Sequence, residues 1–278
     1  MHQFDQDIAV ESANAHCYTG SIAPNWSING VPNGGYLMAL ITNALLQSSQ
    51  MGTTPIVTAN FLKRCHPGDA IVSVERMSLS RQFDRLEARL EQNGEEKIRA
   101  FGTFTDEKSE CLLESYRATA PDIRRIEECI AVPEMPEYTL FGRMDIRLDP
   151  ACTGWFEGKL SGHSEIRGWI RFKDDRAFDV PSILLAADAF PPAVFTSQGM
   201  AAWVPTIECS INIRNLPASK SLKCIFRTRF ITCGLLEEDG EIWDENNTLV
   251  AISRQIAQYR PHRKRSAHPN APIPPAIP

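Results

Sequence analysis

The sequence predicts an α+β fold made of two related units, each a helix followed by a meander of antiparallel strands. Three observations carry this. Apolar residues recur at three- and four-residue spacing through residues 33–49, and a second apolar run fills residues 180–190. Alternating segments divided by turn residues follow each run. The second set of segments repeats the order of the first.

In the first unit, "NGGYLMALITNALLQSS" reads as a helix opened by glycines, with Leu37, Leu40, Ile41, Ala44 and Leu45 on its apolar side. A strand follows in "PIVTANFLKRC", then a turn at Pro67-Gly68-Asp69 and a strand in "AIVSVERMSLS". Two more, "RLEARLEQNG" and "EKIRAFGTFTD", meet at an Asn93-Gly94 turn. Residues 119–150, rich in proline and charge, read as a surface linker with a short helical turn at "IRRIEEC". Residues 154–175 read as two strands. "VPSILLAADAF" reads as the second helix, started near Pro181 and ended by Pro191-Pro192. "PTIECSINIRNLP", "LKCIFRTRFITCGLLEEDG" and "TLVAISRQIAQYR" complete the second set. Pro217 stands 150 residues after Pro67, and Arg214 stands 150 after Arg64, which suggests a duplication. The boundaries drawn are a first unit at 1–118, the linker at 119–150, a second unit at 151–260 and a proline-rich tail at 261–278, extended or disordered.

Composition narrows the function. With 29 Lys and Arg against 34 Asp and Glu, the chain carries a formal charge of −5, which argues against nucleic acid or an anionic membrane as the main partner. The basic run "RPHRKR" abuts the tail and reads as solvated charge. No window approaches the roughly 18 apolar residues of a membrane span. The start lacks the basic, apolar, small-residue order of a secretory signal. The expectation is a soluble cytoplasmic protein whose 8 cysteines are mostly reduced. None of them forms a Cys-x-x-Cys pair, and no metal or redox cofactor is implied.

Taken together, "NWSINGVPNGGYLMAL", "FLKRCHPGDAIVSVERMSLSR" and "LEQNG", followed by "LLAADAFPP", "WVPTIECSINIR" and "LVAISRQIAQYR", resemble a TesB-like acyl-CoA thioesterase in order and spacing. The likeness spans roughly residues 25–260. It implies a double hotdog, two helix-wrapped antiparallel sheets in one chain, and acyl-CoA as substrate. It also implies a catalytic Asp, Thr and Gln, which fall on Asp188, Thr206 and Gln255. Glu208 and Cys209 stand where the acyl-CoA thioesterase II enzyme carries an acid followed by histidine.

The three residue types suit thioester hydrolysis. A thioester is already activated, so the main need is a water held and deprotonated beside its carbonyl. Asp188 can act as general base, while Thr206 and Gln255 supply hydrogen bonds without changing charge near neutral pH. The chain has no Gly-x-Ser-x-Gly elbow to suggest a covalent intermediate. Each residue also has an ordinary structural explanation. Asp188 falls near a helix C-terminus, where the dipole disfavours an acid unless something compensates. Thr206 is also common strand material, and Gln255 also suits a solvent-facing position. In the first unit the place matching Gln255 is read near Gly102-Thr103, and its helix has no acid matching Asp188, so one working site per chain is expected. Gly34 and Gly35, opening the first helix, could offer free N–H groups to a substrate carbonyl oxygen. Arg64, Arg81 and Arg214 are candidates for contacting CoA phosphates. A hotdog dehydratase is a weaker alternative because Asp188 has no histidine nearby in sequence. A non-catalytic acyl-binding protein is the other. Exposed sheet edges suggest a homo-oligomer.

Overall fold

The computed structural model describes residues 1–106 and 113–261; all of the predicted tail except Pro261 lies outside the described residues. The first unit contains β1 (Val10–Asn14), β2 (Cys17–Ile22), α1 (Gly34–Ser48), β3 (Thr53–Phe61), β4 (Gly68–Leu79), β5 (Asp84–Gln92) and β6 (Glu95–Thr105). The second contains β7 (Met144–Leu148), β8 (Ser164–Phe172), α2 (Val180–Ala186), β9 (Thr206–Ile213), β10 (Leu222–Thr228), β11 (Leu235–Asp244) and β12 (Leu249–Gln258). All these strands join one 14-stranded sheet in the order β1-β2-β4-β5-β6-β3-β9-β12-β11-β10-β8-β7, which two-residue strands extend at Ile130–Ala131 and Ile231–Thr232. No helix among the described residues is long and apolar enough to cross a membrane.

The strand order is a palindrome about the β3–β9 seam. At its centre Ala59 pairs with Cys209, flanked by Thr58 with Ser210 and Asn60 with Glu208. Ala59 and Cys209 are 150 residues apart, the same separation that relates Pro67 to Pro217. A pseudo-twofold axis therefore passes through this pair, and each unit supplies the covering strand for the other's open edge. Antiparallel pairing makes that closure self-complementary. The Thr58 and Ser210 hydroxyls add a 2.9 Å hydrogen bond across the seam.

Both helices are buried against the sheet and against each other, inside one continuous apolar core. In α1 burial is not confined to the predicted stripe: Tyr36, Met38 and Ala39 are buried as completely as Leu40 and Ile41. Such all-round burial is what a helix enclosed by a sheet and a second helix requires. Asp179 caps α2 in a reciprocal capping box with Ser182, with Pro181 in the first turn. The helix ends at Ala186, earlier than the predicted 190: the Asp188 N–H turns to the Leu185 carbonyl three residues back, and Pro191 disfavours any return to helical conformation at Phe190. Where the helices meet, a Cβ on Gly35 would stand 2.4 Å from the Leu184 carbonyl oxygen and 2.9 Å from Asp188 Cβ. Only glycine permits that approach.

Two further expectations are corrected. Residues 144–148, inside the stretch that reads as linker, form β7, with Met144, Ile146 and Leu148 buried in alternation. The strand is too short for its period to stand out against the surrounding prolines and charges. Residues 154–175 hold one strand rather than two. Gly154–Glu157 is instead a 3-10 turn that buries Trp155 and closes at Gly158, whose φ is +74°. The turn at Ile126–Glu128 lies within the predicted helical "IRRIEEC". The whole is the double hotdog architecture.

The helix contact gives a direct test by thermal unfolding. Gly35→Ala should destabilise by about 1–3 kcal/mol or more, since a backbone carbonyl blocks the new methyl. Gly142→Ala, in the short helix Thr139–Arg143 with no atom within 4 Å of the new Cβ, should be neutral or stabilise by up to about 1 kcal/mol.

Candidate active site

The site forms where the N-terminus of α1 meets the segment that follows α2. Asn33 caps α1, its Oδ1 accepting the Tyr36 N–H at 3.0 Å. The Nδ2 of the same residue donates to the Asp188 carbonyl oxygen at 2.7 Å and to Asp188 Oδ2 at 3.0 Å. The Gly35 N–H donates to Oδ2 as well, at 2.9 Å. These bonds leave Asp188 Oδ1 uninvolved. The carboxylate thus lies just beyond the unfavourable end of its own helix but against the favourable end of the other unit's helix. That contact supplies the compensation the sequence position demanded.

Gly34 and Gly35 do not present the free donors expected of them. The Gly35 N–H is engaged by Asp188, and the Gly34 N–H also stabilises that carboxylate. The physical reason is the close helix approach, which brings an anion onto these amides before any substrate arrives.

A β-bulge brings Thr206 onto the face of Gln255. Strict alternation along β9 would put Thr206 on the side of Glu208 and Ser210, opposite the buried Cys209, Ile211 and Ile213. The register between β9 and β12 slips between Thr206 and Glu208, leaving Ile207 as the extra residue. Thr206 then pairs with Ala257 on the same face as Cys209 and Gln255. Its Oγ1 donates to Gln255 Oε1 at 2.7 Å.

A residue absent from the sequence reading stands behind this pair. Gln255 is opposite Cys209 on one side and opposite Glu238 of β11 on the other. Gln255 Nε2 donates to Glu238 Oε1 at 2.8 Å, and the Ala193 N–H donates to Glu238 Oε2 at 2.6 Å. Asp188, Thr206 and Gln255 keep part of their surface open, whereas Glu238 is 5% exposed. Asn33 was also missed as a site residue. Its signal was a capping residue before a glycine-opened helix; that of Glu238 was an acid in phase with Leu236 and Ile242 along β11.

Electrostatics tie the groups together. Burial raises the Asp188 pKa from 3.8 to about 6, opposed by the bonds from Gly35, Asn33 and Gly34. Burial raises Glu238 from 4.5 to about 7, opposed by Ala193 and Gln255 and reinforced by the charges of Asp188 and Glu237. The Cys209 thiol is pushed well above its usual range by burial and then by Asp188, Glu238 and Glu208. Asp188 and Glu238 therefore share one poorly solvated space with Cys209, which rules out a thiolate there near neutral pH. Among the described residues no group of three or more His, Cys, Asp or Glu is arranged to hold a metal ion.

The first unit shows what this space looks like without polar groups. Ala59 pairs with Ala100, and Ala100 with Ala88, at the positions equivalent to Cys209, Gln255 and Glu238. All three alanines are fully buried. The register thus corrects the predicted counterpart of Gln255 from Gly102-Thr103 to Ala100. Counting from the helix caps, Thr42 stands in the place of Asp188. Of the candidate arginines, Arg64 follows β3 at the end of the seam where Thr206 begins β9. Arg214 and Arg81 belong to the opposite end.

The family models for the acyl-CoA thioesterase N-terminal and C-terminal domains match residues 22–105 and 126–259. The chain belongs to this acyl-CoA thioesterase family of thioester hydrolases. No curated protein matches it by sequence. Among solved structures, it is similar to a candidate thioesterase II of Thermobifida fusca YX, at 22% identity and a TM-score of 0.85, over 93% of this chain and 98% of that one. A hotdog-fold protein of unknown function from Alicyclobacillus acidocaldarius superposes with a TM-score of 0.84 at 17% identity, covering 98% and 100%. Acyl-CoA thioesterase II TesB2 of Mycobacterium marinum gives 0.73 at 16% identity, covering 94% and 99%. At these identities the structural likeness establishes the shared fold.

The anchoring of Asp188 can be probed by Asn33→Asp, which keeps a capping oxygen but replaces the amide donor with a second carboxylate. The Asp188 titration, followed by carboxyl carbon NMR, should move upward from about 6 by roughly a unit or more. An unchanged midpoint would contradict the Asn33 contact.

Proposed function

We propose that the protein hydrolyses acyl-CoA thioesters to a free carboxylic acid and CoA by direct attack of water, with Asp188 as general base and Thr206 and Gln255 orienting the water. The observation that carries this reading is a poorly solvated carboxylate whose charge is felt at Cys209 and Glu238, the two residues that flank Gln255 of the hydrogen-bonded Thr–Gln pair. In the attack, Asp188 takes one proton as the water oxygen bonds to the thioester carbonyl carbon. The tetrahedral intermediate collapses by breaking the C–S bond. The proton then passes to the departing sulfur and CoA leaves as its thiol. A thiol ionises near pH 8.5, so the leaving group needs little assistance. No acyl-enzyme is required, and Cys209, buried as a thiol, is unsuited to forming one.

The orientation of the Thr–Gln pair bears on how water is held. Thr206 gives its hydroxyl proton to Gln255, so its remaining lone pairs can only accept. A water between Thr206 and Asp188 then directs both protons at acceptors and turns a lone pair toward the substrate carbon. The positive end of α1 lies at the same place and favours the ionised form of Asp188, the form able to take the proton. Arg64, at the matching end of the seam, is the arginine best placed for the CoA phosphates. The protein is proposed to act on free acyl-CoA in the cytoplasm.

Thiol release measured across acyl-CoA chain lengths tests the reading. Asp188→Asn should lower kcat by about 100-fold or more while acyl-CoA binding persists. Release from no thioester by the unmodified protein would point to acyl binding without catalysis. Because the base must be ionised, kcat/KM should fall as pH drops through about 6. Stability should move the other way. The folded pKa of about 6 exceeds the ordinary 3.8, so a contribution present below pH 4 is lost as pH rises through 6. Asp188→Asn removes that loss, and its Tm at pH 8 should equal or exceed that of the parent.

A further inference from the structure

Buried carboxyl groups are expensive, and the fold does not require one at position 238. The equivalent place in the first unit is Ala88, fully buried in the same sheet environment beside Ala100. Glu238 is nevertheless 5% exposed and makes two well-formed hydrogen bonds, one from the Ala193 N–H and one from Gln255 Nε2. It does not border the open part of the site. It touches the main chain five residues beyond Asp188 on one side and the Gln255 side chain on the other.

Building on the hydrolysis proposed above, we propose that Glu238 is a positioning residue that fixes the polarity of the Gln255–Thr206 hydrogen-bond chain and so makes the water site accept protons only. The reasoning follows the donors. The Ala193 N–H is a fixed main-chain donor, so Glu238 must offer it an oxygen. Above about pH 7, where Glu238 is ionised, its second oxygen has nothing to donate, so Gln255 must turn its NH2 group inward. The Gln255 oxygen then faces Thr206 and draws in the hydroxyl proton. Each link forces the next, and the last leaves Thr206 Oγ1 with lone pairs alone for the water. Reversing the chain would point the Gln255 NH2 at Thr206, free the hydroxyl proton to bond the water oxygen, and so tie up one of the water's two lone pairs and make it a weaker nucleophile.

Glu238→Gln makes this reversal with almost no change of shape. The new side chain must still give its oxygen to the Ala193 N–H, so its NH2 faces Gln255 and turns that amide around. The double substitution Glu238→Gln with Gln255→Glu restores the original sense, because residue 255 again offers Thr206 only oxygen. In the full-length protein at pH 8, where Glu238 is ionised, E238Q should lower kcat by about 10- to 100-fold with KM changed little. Its Tm at pH 8 should be no lower than the parent's. The double variant should recover part of the lost kcat. Wild-type kcat in E238Q would overturn the proposal, as would a double variant no faster than E238Q. Asp188→Asn assayed in parallel separates the two readings. If D188N loses activity while E238Q keeps it, only the role of Glu238 fails. If D188N is fully active, the water-activation scheme fails and the role of Glu238 with it. The side-chain amide of Gln255, followed by nitrogen NMR, gives a readout independent of turnover: its resonances should shift on E238Q. Unchanged resonances would count against the reversal.

Discussion

The contact on which the site depends is a carboxylate from one unit lodged against the helix N-terminus of the other. Asp188 Oδ2 takes the Gly35 N–H and the Asn33 amide, and Asn33 is itself the cap of α1. One asparagine thereby ends a helix and holds an acid. The acid is kept poorly solvated yet is favoured in its ionised form by these donors, which leaves its pKa near 6 instead of higher. Gly35 makes the contact sterically possible, because any larger residue would strike the Leu184 carbonyl. The geometry of the acid and the packing of the two helices are one constraint.

Among the described residues such a contact exists once, although the fold offers two places for it. The β3–β9 seam is symmetric about Ala59 and Cys209, so two equivalent locations are built, one at each end. Alanines fill the buried row of the first unit, and Thr42 stands where the second unit has Asp188. The second unit spends its equivalent row on Cys209, Gln255 and Glu238. Identical folding demands are thus met by apolar packing at one end and by a polar network at the other. The hydrogen bonds from Ala193 through Glu238 and Gln255 to Thr206 can orient groups that an apolar core would leave free to rotate.

The two poorly solvated acids of the second unit differ in their surroundings. Asp188 retains contact with the open part of the site, while Glu238 is sealed between β12 and the chain beyond Pro192. Their charges oppose each other, which adds to the effect of burial on Glu238. A strong structural demand must hold this arrangement together, and the dense set of donors around both carboxylates supplies it.

Much of this was legible in the chain. Periodicity located both helices, turn residues bounded the meanders, and the 150-residue separation of Pro67 and Pro217 anticipated the seam symmetry. The order of motifs placed Asp188, Thr206 and Gln255 as a candidate set. Short β7 escaped because three alternating residues carry too little period to outweigh neighbouring prolines. What the linear pattern could not hold was direction and partnership. Alternation alone turns Thr206 the wrong way, and only the bulge at Ile207 returns it to the inner face. Glu238 looked like one more acid in an acidic strand until pairing set it opposite Gln255. Local sequence determines which conformations and surfaces are favourable, since those depend on near neighbours. Tertiary structure decides which donors meet which acceptors, because hydrogen bonds and desolvation depend on groups brought together from residues 33, 188, 206, 238 and 255.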